Sequence, residues 1–168
     1  MTVFRLPQLD AASNIANYIS NLFSQSGPGT QVFLAQAARY ELYSPIILSH
    51  NDQEIATDGY PEDDCLKATL ATVGEHADAI IGNLGLSRLR ISNLIVDGME
   101  PMLGRSEKSE PLLFLGGEGS FDCVVENCVL KHTRGWTCAT LPCINHVNTD
   151  TLHIDVVTYL TALGALKY

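Results

Sequence analysis

Displaced by 34 residues, the chain lies on itself: residues 79–96 fall over residues 113–130. Ile80-Ile81-Gly82 then meets Phe114-Leu115-Gly116, and Gly85 meets Gly119. Ile91-Ser92-Asn93-Leu94-Ile95-Val96 meets Val125-Glu126-Asn127-Cys128-Val129-Leu130, and the same displacement sets Ile46-Ile47 over Ile80-Ile81. A repeat of this length marks a structural unit that stacks on copies of itself and buries a continuous core between neighbours. The repeat predicts inward side chains in columns, strands spaced by about 4.8 Å, and Asn93 bonded to Asn127 one coil away.

The unit is built of strands. Gln31-Val-Phe-Leu34, Pro45-Ile-Ile-Leu48, Glu54-Ile-Ala-Thr57 and Ala79-Ile-Ile-Gly82 are short apolar runs, as are Leu112-Leu-Phe-Leu115 and the segments at 89–96 and 123–130. Gly, Asp, Asn or Ser fills the gaps between them. No second long helical pattern interleaves before residue 150, which argues against a doubly wound α/β fold. A β-sandwich would alternate apolar and polar positions more cleanly. The expectation is an all-β stack of coils over 30–143 within a single domain, 1–168.

The ends differ from the middle. Residues 10–24 predict a helix with Asp10 as cap. Ile15, Ile19, Leu22 and Phe23 share one face, and Gly27-Pro28-Gly29 stops it. Residues 150–168 read two ways. Leu152, Val156, Tyr159, Leu163 and Leu166 step as a helix would, whereas Leu152-His-Ile-Asp-Val156 alternates as a strand would.

Composition removes whole classes. With 46% hydrophobic and 17% charged residues the chain is not disordered. No apolar run is long enough to cross a bilayer. A net charge of −9 disfavours nucleic acid. Cys65, Cys123, Cys128, Cys138 and Cys143 are odd in number and lack zinc-ligand spacing, so free thiols and no metal site are expected. The first residues carry no secretory signal, which points to the cytoplasm and leaves secretion open. Gly116-Gly117-Glu118-Gly119 lacks the Lys and helix of a phosphate loop. The acidic stretch Asp58-Gly-Tyr-Pro-Glu-Asp-Asp64 reads as a polar turn.

Several segments together resemble the right-handed parallel β-helix proteins of the pectin lyase-like superfamily, fungal members especially. They are residues 30–48 with their Ser44-Pro45-Ile46 strand, Leu89-Arg-Ile-Ser-Asn-Leu-Ile-Val-Asp-Gly98, and Cys123-Val-Val-Glu-Asn-Cys-Val-Leu-Lys-His132. The resemblance covers roughly residues 10–140, and the 10–24 helix resembles the cap of such solenoids. It implies a right-handed parallel β-helix; the length, set against a 34-residue repeat, allows a short one of three to four coils, and a second helix stays one of the two readings of residues 150–168.

For function the resemblance implies a carbohydrate-active or carbohydrate-binding protein, a polysaccharide lyase-like eliminase, with sites on an outer sheet face. Arg134 or Lys131 then stands as the base. His132 lies beside them, and Asp97, Asp122 and Glu126 stand as acid/base groups or calcium ligands. Trp136, the single tryptophan, would stack on a sugar beside Arg134. Arg88, Arg90, Lys131 and Arg134 would form a basic patch for an acidic substrate. Two alternatives stay open. One is an intracellular lyase, isomerase or cyclase acting on a small molecule. The other is a non-catalytic module that forms homo-oligomers through an open coil end.

Overall fold

The computed structural model describes residues 1–8, 14–106, 111–115, 119–135, 139–141, 144–147 and 151–159. Strand β1 (Val3–Leu6) and helix α1 (Ile15–Ser26) come first. Then follow β2 (Gln31–Leu34), β3 (Arg39–Leu42), β4 (Ile46–Leu48), β5 (Glu54–Thr57), β6 (Ala68–Thr72) and β7 (Ile80–Gly82). After β8 (Arg90–Ser92) and β9 (Leu94–Asp97) come the one-turn helix α2 (Glu100–Leu103) and β10 (Leu113–Leu115). The last strands are β11 (Cys123–Lys131), β12 (Ala139–Leu141), β13 (Ile144–Val147) and β14 (Thr151–Tyr159).

The pairing is that of a β-solenoid-like fold. One curled sheet runs β1-β2-β5-β8-β11-β9-β6-β3, with every neighbour in that path parallel. A second ladder, β4-β7-β10-β12, is also parallel. The long strand β11 serves two ladders, pairing with β8 through its first half and with β9 through its second.

Inward residues stack in columns, as the repeat predicts. Val32, Ile55, Ile91 and Val125 form one, Tyr40, Leu70, Val96 and Leu130 another, and Ile46, Ile80, Leu113 and Ala139 the third. All twelve are buried. Parallel strands buried on the inner face select β-branched and leucine side chains, which explains the short apolar runs.

The turns carry the period too. Asp52, Arg88 and Asp122, each just before a strand of the first ladder, all have positive φ. So do Asn93, at the corner between β8 and β9, and Asn127, at the same corner inside β11. Asn tolerates this left-handed region best among residues with a side chain. The two amides are not bonded to each other as expected. Both donate to the carbonyl of Pro61, at 2.9 and 3.3 Å, because the loop after β5 folds over the corner.

One register differs from the sequence alignment. Ile91 pairs with Val125, Val96 with Leu130 and Ile46 with Ile80, all 34 apart. Leu113, however, pairs with Ile80 and Phe114 with Ile81. The offset there is 33, since the chain from Leu115 to Val124, the partner of Arg90, is one residue longer than that from Gly82, the partner of Leu115, to Arg90. Side chains alternate faces along a strand, so this slip turns Phe114 outward.

Helix α1 begins one residue after Asn14, whose side chain accepts from the Asn17 amide. Asp10, the cap expected from sequence, lies outside the described residues. The helix buries Ile15, Ala16, Ile19 and Phe23 and packs against β4 and β3. Ser20 Oγ accepts from the backbone N–H of Ile47 at 2.9 Å and so satisfies a donor on the edge strand β4. At the other end, residues 151–159 form a strand and not a helix. β14 pairs antiparallel with β11, and β13 antiparallel with β12.

Candidate functional site

The cations of the expected basic patch are each engaged by a carboxylate or a carbonyl, most of them one coil away. Arg88 holds Asp52, with Nη2 to Oδ2 at 2.8 Å. This hydrogen bond keeps the Asp52 carboxyl below the usual carboxylate range. Arg90 lies between Glu54, at 3.3 Å, and Glu126. Arg134 donates to the carbonyls of Gly74, at 2.7 Å, and Gly104, at 3.2 Å, and so ties two connecting loops together. Asp122 sits at a left-handed turn beside Arg88, whose guanidinium its charge favours. The carboxylates named as calcium ligands, Asp97, Asp122 and Glu126, therefore stand in three separate settings. Trp136 lies outside the described residues.

Three of the sequence-derived residues do meet. Asp97 and Lys131 are register partners at the ends of β9 and β11, both facing outward. Asp97 Oδ1 accepts from the Met99 amide at 2.9 Å and lies 3.0 Å from His132 Nδ1. Its Oδ2 is 3.7 Å from Lys131 Nζ. The carboxylate is 9% exposed, the imidazole 41%, so a nearly buried anion orients a half-open ring. Nδ1 is occupied by Asp97, leaving Nε2 as the nitrogen for a ligand. Gly98 makes room for this packing: a Cβ there would overlap the His132 carbonyl and lie 2.9 Å from Thr133 Cα.

The first ladder carries a second polar cluster. Buried Glu54 accepts from Gln31 at 2.6 Å and from Tyr60 Oη at 3.0 Å, as well as pairing with Arg90. Burial, then the bond to Glu54, pushes the Tyr60 phenol up to about 12. Tyr60 also meets Phe33 edge-on, with ring centroids 5.5 Å apart. The acidic stretch 58–64 is thus more than a polar turn. It is a cover over the first ladder, fastened by Arg5–Asp58 at 3.1 Å and by buried Lys67, which reaches Asp64 at 2.6 Å and Asn127 at 2.7 Å.

A groove of about 340 Å³ lies on the β4-β7-β10 ladder, lined by Pro45, His76, Asp78, Ile81, Pro111 and Phe114. Sequence reading missed it, because the 34-residue alignment sets Phe114 over inward Ile80. The usable signal was local: Leu113 and Leu115 bracket Phe114 as Ile80 and Gly82 bracket Ile81.

Among the described residues, no group of three or more His, Cys, Asp or Glu gathers to hold a metal ion. Nor is any helix long and apolar enough to cross a membrane. Comparison with protein-family models, with curated proteins and with solved structures returns no match.

Proposed function

We propose that the chain is a short right-handed parallel β-helix of three to four coils, of the pectin lyase-like kind its sequence resembles. In this reading β1 and α1 cover its N-terminal end, and it acts on carbohydrate by elimination. The parallel ladders and the recurring left-handed turns support the fold. One observation carries the function: Asp97 from one coil and the adjacent Lys131 and His132 from the next converge on an outer sheet face.

The proposed step runs as a β-elimination. His132 Nε2 takes the proton from the carbon next to a sugar carboxylate. The electron pair of that C–H bond becomes a C=C bond, the C–O bond to the leaving sugar breaks with its pair going to oxygen, and the leaving oxygen takes a proton from water. Asp97 orients the ring and stabilises the imidazolium, while the Lys131 ammonium lies where it offsets negative charge developing on the substrate. Arg134 is a positioning residue in this scheme, because its donors go to backbone carbonyls.

The test is the ultraviolet absorbance of unsaturated uronate after incubation with several uronans, with and without calcium. Signal is expected, and His132→Gln, folded by circular dichroism, should lose it by about 100-fold or more. No signal from any uronan overturns the reading in favour of a non-catalytic module, as does a His132→Gln variant as active as its parent.

A further inference from the structure

The chain has six arginines. Arg5, Arg88, Arg90 and Arg105 each hold a carboxylate, and Arg134 holds two carbonyls. Arg39 differs. It is exposed, and among the described residues its guanidinium has one partner, the thioether of Met99, with Nη2 to Sδ at 3.2 Å. Sulfur is a weak acceptor, so a group with several N–H donors in a rigid fork keeps most of its capacity for an anion.

Register puts Arg39 on the same outer face as the Asp97 cluster. Glu41 pairs with Ala71, Ala71 with Asp97 and Asp97 with Lys131, and Arg39 stands two residues before Glu41 on β3. Met99 joins the two ends. Its amide donates to Asp97 Oδ1 at 2.9 Å, and its sulfur accepts from Arg39. The guanidinium thus lies one methionine side chain away from Asp97. Three rung spacings, from β3 to β11, make this face about 14 Å wide, room for about two or three sugars in a row. Lys131 and His132 stand against Asp97, so Glu41 is the acid of this row that an incoming anion meets. Its charge opposes a doubly charged group more than a singly charged carboxylate.

We infer that Arg39 is a specificity-determining residue for an acidic sugar: its guanidinium binds the carboxylate of the sugar next to the one that His132 deprotonates. A carboxylate offers the two oxygens that the guanidinium fork matches. The inference takes its substrate class from the elimination reading and rests on it.

Isothermal titration of the unaltered chain with trigalacturonate, trimannuronate and neutral maltotriose tests it, repeated in His132→Gln so that turnover does not interfere. At least one tri-uronide should bind, with maltotriose about tenfold weaker or worse. Arg39→Gln should weaken uronide binding about tenfold, and Arg39→Lys, which keeps the charge and loses the fork, should weaken it less but measurably. Met99→Leu removes the sulfur and keeps the guanidinium, so its affinity should stay within about twofold of the parent. The inference is overturned if Arg39→Gln binds the uronide like its parent, if Met99→Leu weakens binding as much as Arg39→Gln, or if no tri-uronide binds. Should Arg39→Gln fail to fold, Arg39→Lys decides, and binding equal to the parent overturns the inference. Uronide turnover with a KM unmoved by Arg39→Gln overturns this inference alone. Arg39-dependent binding without the ultraviolet product overturns elimination alone.

Discussion

Gly98 separates a packing need from a chemical one. Its amide donates to the Lys131 carbonyl at 2.9 Å, and the backbone of His132 and Thr133 rests where a Cβ would be. Gly98→Ala must push the two coils apart, at a cost of about 2–4 kcal/mol. Chemical denaturation checks this, and the His132 ring resonances should move with it, because Asp97 and His132 stand on the two displaced segments. The same scale shows what a sequence reader can and cannot see. Asn93 and Asn127 were legible as a pair, since left-handed turns favour Asn. Their shared partner, the Pro61 carbonyl, was not, because it comes from a loop 32 and 66 residues away.

Helix α1 and the edge strands answer one problem at the scale of elements. A stack of parallel strands ends in unpaired backbone groups, and an uncovered edge recruits other chains. Here β1 pairs with β2, α1 packs on β3 and β4, and β14 pairs with β11. Phe23 is the anchor of α1, fully buried in the core. Phe23→Ala should cost about 3–5 kcal/mol, read from the urea midpoint. It should also raise the tendency to associate, seen by light scattering, as the β4 edge loses its cover. The helix was plain from its apolar spacing. The last strand was not, because residues 150–168 satisfy both periods and only the free edge of β11 chose between them.

For the whole molecule, the charge pattern sets a stability profile with two shoulders. Asp52 is held low by Arg88, and Asp63 by the backbone amide of Cys65. Folded values below the unfolded ones mean that this contribution is present above the ordinary carboxylate value of 3.8 and is lost as pH falls beneath it. At the alkaline side burial raises the Cys128 thiol from 9.0 to about 12. Burial and Glu54 raise the Tyr60 phenol from 10.0 to about 12. Folded values above the unfolded ones mean that stability is complete below about pH 9 and falls between 9 and 12. Urea midpoints across this range should decline, and Cys128→Ala should flatten the decline at its lower end.

Much of the architecture followed from the chain alone. The 34-residue recurrence, the strand-length apolar runs and the amphipathic helix each reflect a local period that folding must obey. Asp97, Lys131 and His132 were legible singly as outward candidates, since stacking coils puts residues one repeat apart in line, though not as a trio. Three things only the tertiary structure decided. A one-residue difference in a connection turned Phe114 outward and opened the groove, which no periodicity can reveal because the slip is invisible until strands pair. Arg88, Arg90 and Lys131 met carboxylates of neighbouring coils, and Arg134 met backbone carbonyls, rather than forming a patch, because stacking at about 4.8 Å brings opposite charges within reach. And the acidic stretch 58–64 became the cover of the first ladder, held by contacts with residues as distant as Arg5 and Asn127.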